Sequence, residues 1–131
     1  MALPSKHFVL CGALCLIVLQ PAQARDDKSF CEDVQKIADA KNAEKGKQID
    51  EYTKTEEMVV MCREKRIISK QVVERTKNDL KDDAVQNMQA TWNDNFCTDE
   101  KFRNAVESGW SIIMRLKFSD GQTLNLTAAC S

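Results

Sequence analysis

The chain has 131 residues, with 19 basic and 20 acidic side chains and a formal net charge of −1. That balance supplies no basic excess for neutralising phosphates, which argues against nucleic-acid binding, and the length allows one core rather than two. The only histidine, His7, and both prolines, Pro4 and Pro21, lie in the first 24 residues.

Phe8 to Leu19 is an apolar run preceded by Lys6 and His7 and followed by Pro21-Ala22-Gln23-Ala24. A basic start, a short apolar stretch and small residues at Ala22 and Ala24 are the pattern of a cleaved signal peptide. The expected organisation is a signal peptide over 1–24 and a single small domain over 25–131. The run is too short to span a bilayer, and no later apolar segment reaches the ~20 residues a transmembrane helix needs, so no membrane span is expected. A lipid anchor is also not expected, because Leu10 and Leu14 precede Cys11 and Cys15 where lipoprotein processing wants a small residue. The remaining chain holds 18 basic and 20 acidic residues and no histidine. Conventional Ser-His and Cys-His catalysis is thereby excluded from it, and the commonest metal ligand is missing.

Ser29 can cap a helix with Phe30, Val34, Ile37, Ala38 and Lys41 on one stripe, which places the first helix at about 30–45. Gly46 offers a left-handed stop, and 47–55 reads as a polar connection with Ile49 and Tyr52 as anchors. Met58-Val59-Val60-Met61-Cys62 and Ile67-Ile68-Ser69-Lys70-Gln71-Val72-Val73 are β-branched blocks around four charged residues, which suggests a hairpin. The rival is a helix across 56–73, since Arg63 to Arg66 contains no Gly, Asn or Asp to take a positive φ.

From Thr76, Leu80, Ala84, Met88, Trp92 and Phe96 recur every fourth residue, predicting an amphipathic helix of about five turns. Thr98 and Asp99 can start another helix with Phe102, Ala105 and Val106 inward and Gly109 as its stop. Trp110, Ile112, Met114, Leu116 and Phe118 alternate with other residues, as do Leu124, Leu126, Ala128 and Cys130 in a returning strand. A two-residue turn at Asp120-Gly121 would put the two apolar sets on opposite faces. A three-residue loop instead pairs Leu116 with Leu124, Met114 with Leu126 and Trp110 with Cys130, and requires Gly121 in the left-handed region. The expected fold is α+β: an antiparallel sheet of two to four strands, the C-terminal hairpin foremost, packed against amphipathic helices and stapled by disulfides.

Cys31, Cys62, Cys97 and Cys130 remain after the leader, and in an exported protein four cysteines read as two structural disulfides. Three pairings are open from sequence alone. The favoured one joins 31 to 62 and 97 to 130, because each bridge would tie a helix end to the strand that follows. Closing a loop of about 32 residues lowers unfolded-state entropy by about 3.7 kcal/mol in the chain-entropy account. Zinc or redox chemistry would want close pairs such as Cys-x-x-Cys, so no metal or cofactor is expected.

Met58, Met61, Met88 and Met114 could be thioether ligands for Cu(I), but core filling explains them more simply. Asp82-Asp83 and Asp99-Glu100 could serve a histidine-free hydrolase, but both pairs stand near helix starts, where carboxylates cap N–H groups. Asn125-Leu126-Thr127 matches the N-glycosylation pattern, although a strand is a poor acceptor site.

Asn95-Phe96-Cys97-Thr98-Asp99, Gly109-Trp110, Asp120-Gly121 and the penultimate Cys130 resemble the C-terminal half of small exported cysteine-bridged bacterial proteins of uncharacterised function. The resemblance covers about 35 residues. It implies a periplasmic or secreted location and a Cys97–Cys130 bridge, and it carries over no catalytic residue.

The functional expectation is a non-enzymatic exported protein acting on a protein partner in the periplasm or outside the cell, as an inhibitor, immunity, accessory or virulence-associated protein. The alternative is a carrier of small hydrophobic ligands, with a pocket lined by Met88, Trp92 and Trp110 and limited by the small size of the chain. Catalytic, cofactor-binding and metal residues are expected to be absent.

Overall fold

The computed structural model describes residues 27–130; the signal-peptide reading, with Cys11 and Cys15, lies outside them. The first helix, α1, runs over 27–43. It buries Phe30, Cys31, Val34 and Ala38, a three-and-four spacing that puts one stripe inward. A turn with Gly46 at φ +85° leads to strand β1 (Thr53–Met61), which pairs antiparallel with β2 (Arg66–Val73). The segment 56–73 is therefore a hairpin and not a helix. Its turn residue with positive φ is Lys65, at 53°. That unusual backbone is held by the side chain, whose Nζ lies 3.0 Å from Asp27 of α1 and donates to the Ser108 carbonyl at 3.3 Å.

The chain then departs from the long helix predicted from Thr76. Lys77–Asp79 forms only a 3-10 turn, sealed by the Thr76 N–H donating to Asp79 at 3.2 Å, and Leu80 is extended. Helix α2 begins at Ala84 and ends at Cys97; α3 spans Glu100–Glu107. Asp99 caps α3 by accepting the Phe102 N–H at 3.1 Å, whereas Asp83 at the start of α2 makes no side-chain cap.

Strands β3 (Ser111–Phe118) and β4 (Thr123–Thr127) close the fold as an antiparallel hairpin. Met114 faces Leu126, Leu116 faces Leu124, and Gly121 has φ +85°, the register and the turn that the three-residue loop demands. The ladder stops at Ile113–Thr127, so Trp110 and Cys130 lie beyond it. The sheet order is β1-β2-β3-β4, and β2 and β3 run parallel. The fold is α+β with a mixed, mostly antiparallel sheet. The parallel pair arises because α2 and α3 return the chain to the end of the sheet where β2 began.

Register assigns the faces. Ile67 and Val73 of β2, Ile112, Met114, Leu116 and Phe118 of β3, and Leu126 of β4 are buried on the helix side. A chain of edge-to-face aromatic contacts joins the helices there. Trp92 meets Phe96 at 4.5 Å, Phe96 meets Phe102 at 5.1 Å, Phe102 meets Phe30 at 5.6 Å, and Phe30 meets Trp110 at 4.8 Å. Cys31 is joined to Cys62 and Cys97 to Cys130, with Cα separations of 5.8 Å and 5.4 Å. The first bridge pins α1 to the end of β1; the second pins the chain after β4 to the end of α2.

Both sheet edges are covered in part. On β1, Asn42 acts as a substitute strand: its Nδ2 donates to the Met58 carbonyl at 3.0 Å and its Oδ1 accepts the Met58 N–H at 2.7 Å. Gly46, Lys47 and Ile49 satisfy Thr55 and Thr53 beyond it. On β4, Gln89 donates to Thr127 and Asn93 accepts from Ala129. Replacing Asn42 by alanine leaves a half-buried donor and acceptor unsatisfied, and is expected to cost about 1–3 kcal/mol in urea unfolding. A loss near zero would show that water replaces the amide there.

Candidate functional site

A groove of about 800 Å³ lies on the helix side of the sheet. Its floor is the far end of the sheet core, Val73, Met114, Leu116 and Phe118. Met88 and Trp92 form one wall because they are one turn apart on α2, while Asn87, Thr91 and Asn95 line it from the same helix. The opposite wall is the Ile49–Thr53 connection, and Arg75, Asp79 and Leu80 close one end. Because α2 starts only at Ala84, Asp79 and the extended Leu80 line this end of the groove in place of a helical turn.

Trp92 is anchored by its indole N–H, which donates to the Ile112 carbonyl at 3.0 Å, and is 8% exposed. A buried indole with its one donor satisfied makes a rigid wall. Tyr52 on the opposite side is held under the Arg75 guanidinium, whose carbon lies 3.8 Å from the ring centre. Asp50, Glu51 and Asp79 are exposed lining residues beside Arg75. The Tyr52 backbone N–H, 2.9 Å from Asp50, holds that carboxyl below its usual range. The Thr76 hydroxyl and backbone N–H do the same for Asp79. What the groove offers is an apolar floor with a polar margin whose charged members are Asp50, Glu51, Asp79 and Arg75.

The lowered carboxyls set a pH expectation. Their folded values lie below the ordinary 3.8, so their stabilisation is complete above that pH and is lost as pH falls through the lower folded values. Residues 25–131 contain no histidine, so stability should be nearly flat from pH 8 to 5 and fall below about pH 4. Asp79→Asn should shallow that acid decline in thermal melts. An unchanged acid limb would refute the assignment.

The other sequence candidates separate. Met88 and Trp92 line the groove, but Trp110 does not: it precedes β3 at the opposite end, packed on Phe30, with its indole N–H 3.4 Å from Asp27. The space available is also larger than the short chain led us to expect. Met58 and Met61, three apart on a strand, project to opposite faces and do not converge. Of the acidic pairs Asp82-Asp83 and Asp99-Glu100, Asp99 serves as the α3 cap, Asp83 makes no side-chain cap on α2, and the 14 residues of α2 hold the two pairs about 21 Å apart, so they do not converge on one site. Among the described residues no cluster of three or more His, Cys, Asp or Glu side chains could hold a metal ion. Asn125 lies on β4 and accepts from Arg115 at 3.0 Å. Ile49 and Tyr52 stood out only as loop anchors, and nothing in the pattern marks Arg75, which folding alone brings to Tyr52.

These features define a class: a small, doubly disulfide-linked α+β protein with helices on one face of a four-stranded sheet and an apolar groove between α2 and that sheet. No family model matches the chain, and no curated protein matches it in sequence. Solved structures do share the fold. A Pseudomonas aeruginosa protein provisionally described as secreted superposes with a TM-score of 0.59 at 12% identity, over 78% of this chain and 90% of its own. EpsS, the type 2 secretion system pilotin of Vibrio vulnificus, gives 0.59 at 13% identity, over 81% and 93%. AspS, the type II secretion system pilotin of Vibrio cholerae, gives 0.58 at 15% identity, over 82% and 95%.

Proposed function

We propose that this is a non-enzymatic exported protein that acts by binding another protein in the cell envelope or outside the cell, with the groove beside α2 as its receptor. Residues 1–24 are the cleaved leader and 25–131 the single working domain. The observation that carries the reading is the groove itself: an apolar floor about as large as a ligand site, walled by a rigid Trp92 and edged with polar groups. An apolar segment of a partner would bury its side chains on Leu116 and Phe118 and present polar groups to Asn87, Asn95 and the charged margin. The fold shared with two pilotins and a provisionally secreted protein supports a setting in the envelope or beyond it.

The test is co-purification from envelope extract with the wild type and Thr91→Trp. Thr91 is exposed on α2 and lines the groove, so an indole there fills the space without entering the core. Loss of a stoichiometric protein partner with unchanged thermal stability is the expected result; retention of the partner would move the receptor elsewhere. Carriage of a small hydrophobic ligand is the second reading, favoured by the same apolar floor. It requires that a fluorescent fatty acid bind the wild type and not Thr91→Trp.

A further inference from the structure

The helix-free face of the sheet is chemically unlike the rest of the molecule. Strands β2, β3 and β4 contain four cations, Arg66, Lys70, Arg115 and Lys117, and no carboxylate. Register puts all four on the side opposite the core: Arg66 aligns with Ser111, Lys70 with Arg115, and Val72 with Lys117, each alternating with a core residue. The carboxylates within the strands are confined to Glu56 and Glu57 on edge strand β1, and Glu74, just past β2, is paired with Lys54 of β1 at 2.9 Å, so the middle of this face keeps a positive excess. Lys70 meets Glu57 at 3.8 Å, while Arg66, Arg115 and Lys117 have no ion-pair partner among the described residues.

Between these cations runs an apolar row. Val59, Ile68 and Ile113 are aligned across three neighbouring strands. Ile68 is only 7% exposed although it lies outside the main core cluster, so neighbours on its own face cover it. Arg66 lies on one side of this row and Lys70 with Arg115 on the other, their aliphatic stems beside it and their charges free to reach outward.

We infer that this face is a peripheral docking surface for a membrane carrying anionic lipids, independent of the groove on the other side. The charges are complementary to lipid phosphates, and they are spread over a sheet face around an apolar row. That combination matches the headgroup boundary, where charge attracts and apolar side chains settle between headgroups. An acidic protein would match the cations but would leave the row unused.

The experiment is flotation of the full chain, recovered after export with its own leader, with vesicles of phosphatidylethanolamine and 30% phosphatidylglycerol or of phosphatidylcholine alone. Binding to the anionic vesicles only is expected, weakening steeply as salt rises from 0.05 to 0.5 M. Each cation removed should weaken it about fivefold, so Arg115→Gln with Lys117→Gln should lose about 25-fold. Lys36→Gln with Lys41→Gln, on exposed positions of α1, should change it little; melting curves for both variants verify folding. Absence of binding to anionic vesicles, equal binding to both compositions, or equal loss in the two variants would overturn the assignment. So would binding of poly-glutamate without binding of vesicles, which would make the partner an acidic protein.

Discussion

Trp92→Ala should lower stability by about 3–5 kcal/mol, the range for removing a large aromatic side chain from a core. The indole is 8% exposed, meets Phe96 at 4.5 Å, and supplies the hydrogen bond that ties α2 to the Ile112 carbonyl of β3. Its loss therefore opens a cavity beside Met114 and loosens the helix that walls the groove. Urea unfolding followed by circular dichroism measures the cost, and Trp92→Phe should recover most of the packing but not the hydrogen bond. A loss below about 1 kcal/mol would mean that α2 is held by other contacts and that Trp92 is no structural wall.

Removing the bridges should have an effect of similar size, about 2–5 kcal/mol for each. The two should differ in where the damage appears. Cys31→Ala with Cys62→Ala removes the covalent tie of α1 to β1, leaving the helix to the packing of Phe30, Val34 and Ala38, the Lys65–Asp27 pair, the Asn42–Met58 bonds and an exposed Lys101–Asp33 pair at 2.8 Å. Amides of α1 should then exchange faster while those of β3 keep most of their protection. Cys97→Ala with Cys130→Ala should instead expose the chain after β4. Non-reducing peptide mapping tests the connectivity, and a melting temperature unaltered by reductant would contradict a structural role for either bridge.

Legibility in the sequence followed the range of the interactions. The C-terminal hairpin was readable to its register because alternation, Asp120-Gly121 and the apolar partners all lie within 20 residues of one another. The first hairpin was readable from its β-branched blocks, but its turn was not. Lys65 adopts a backbone that its own residue type does not favour, held there by Asp27 and Ser108, which are remote in sequence. The helix predicted from Thr76 was too long because the four-residue repeat continued back through Leu80, while the local Thr76–Asp79 hydrogen bond diverted the backbone. Parallel pairing of β2 with β3 left no local mark. The groove was half visible: Met88 and Trp92 share a helical stripe, but Tyr52 and Arg75 meet them only in the folded chain, and Trp110 belongs to the other end of the core.

Photo-crosslinking in the exporting cell tests the central claim most directly, with a benzophenone amino acid at position 91 in the groove and, as a control, at position 36 on α1. The account predicts a discrete protein adduct from position 91 and none from position 36. Adducts from both positions alike, or an unmodified protein with only small-molecule adducts at position 91, would contradict a protein receptor in the groove.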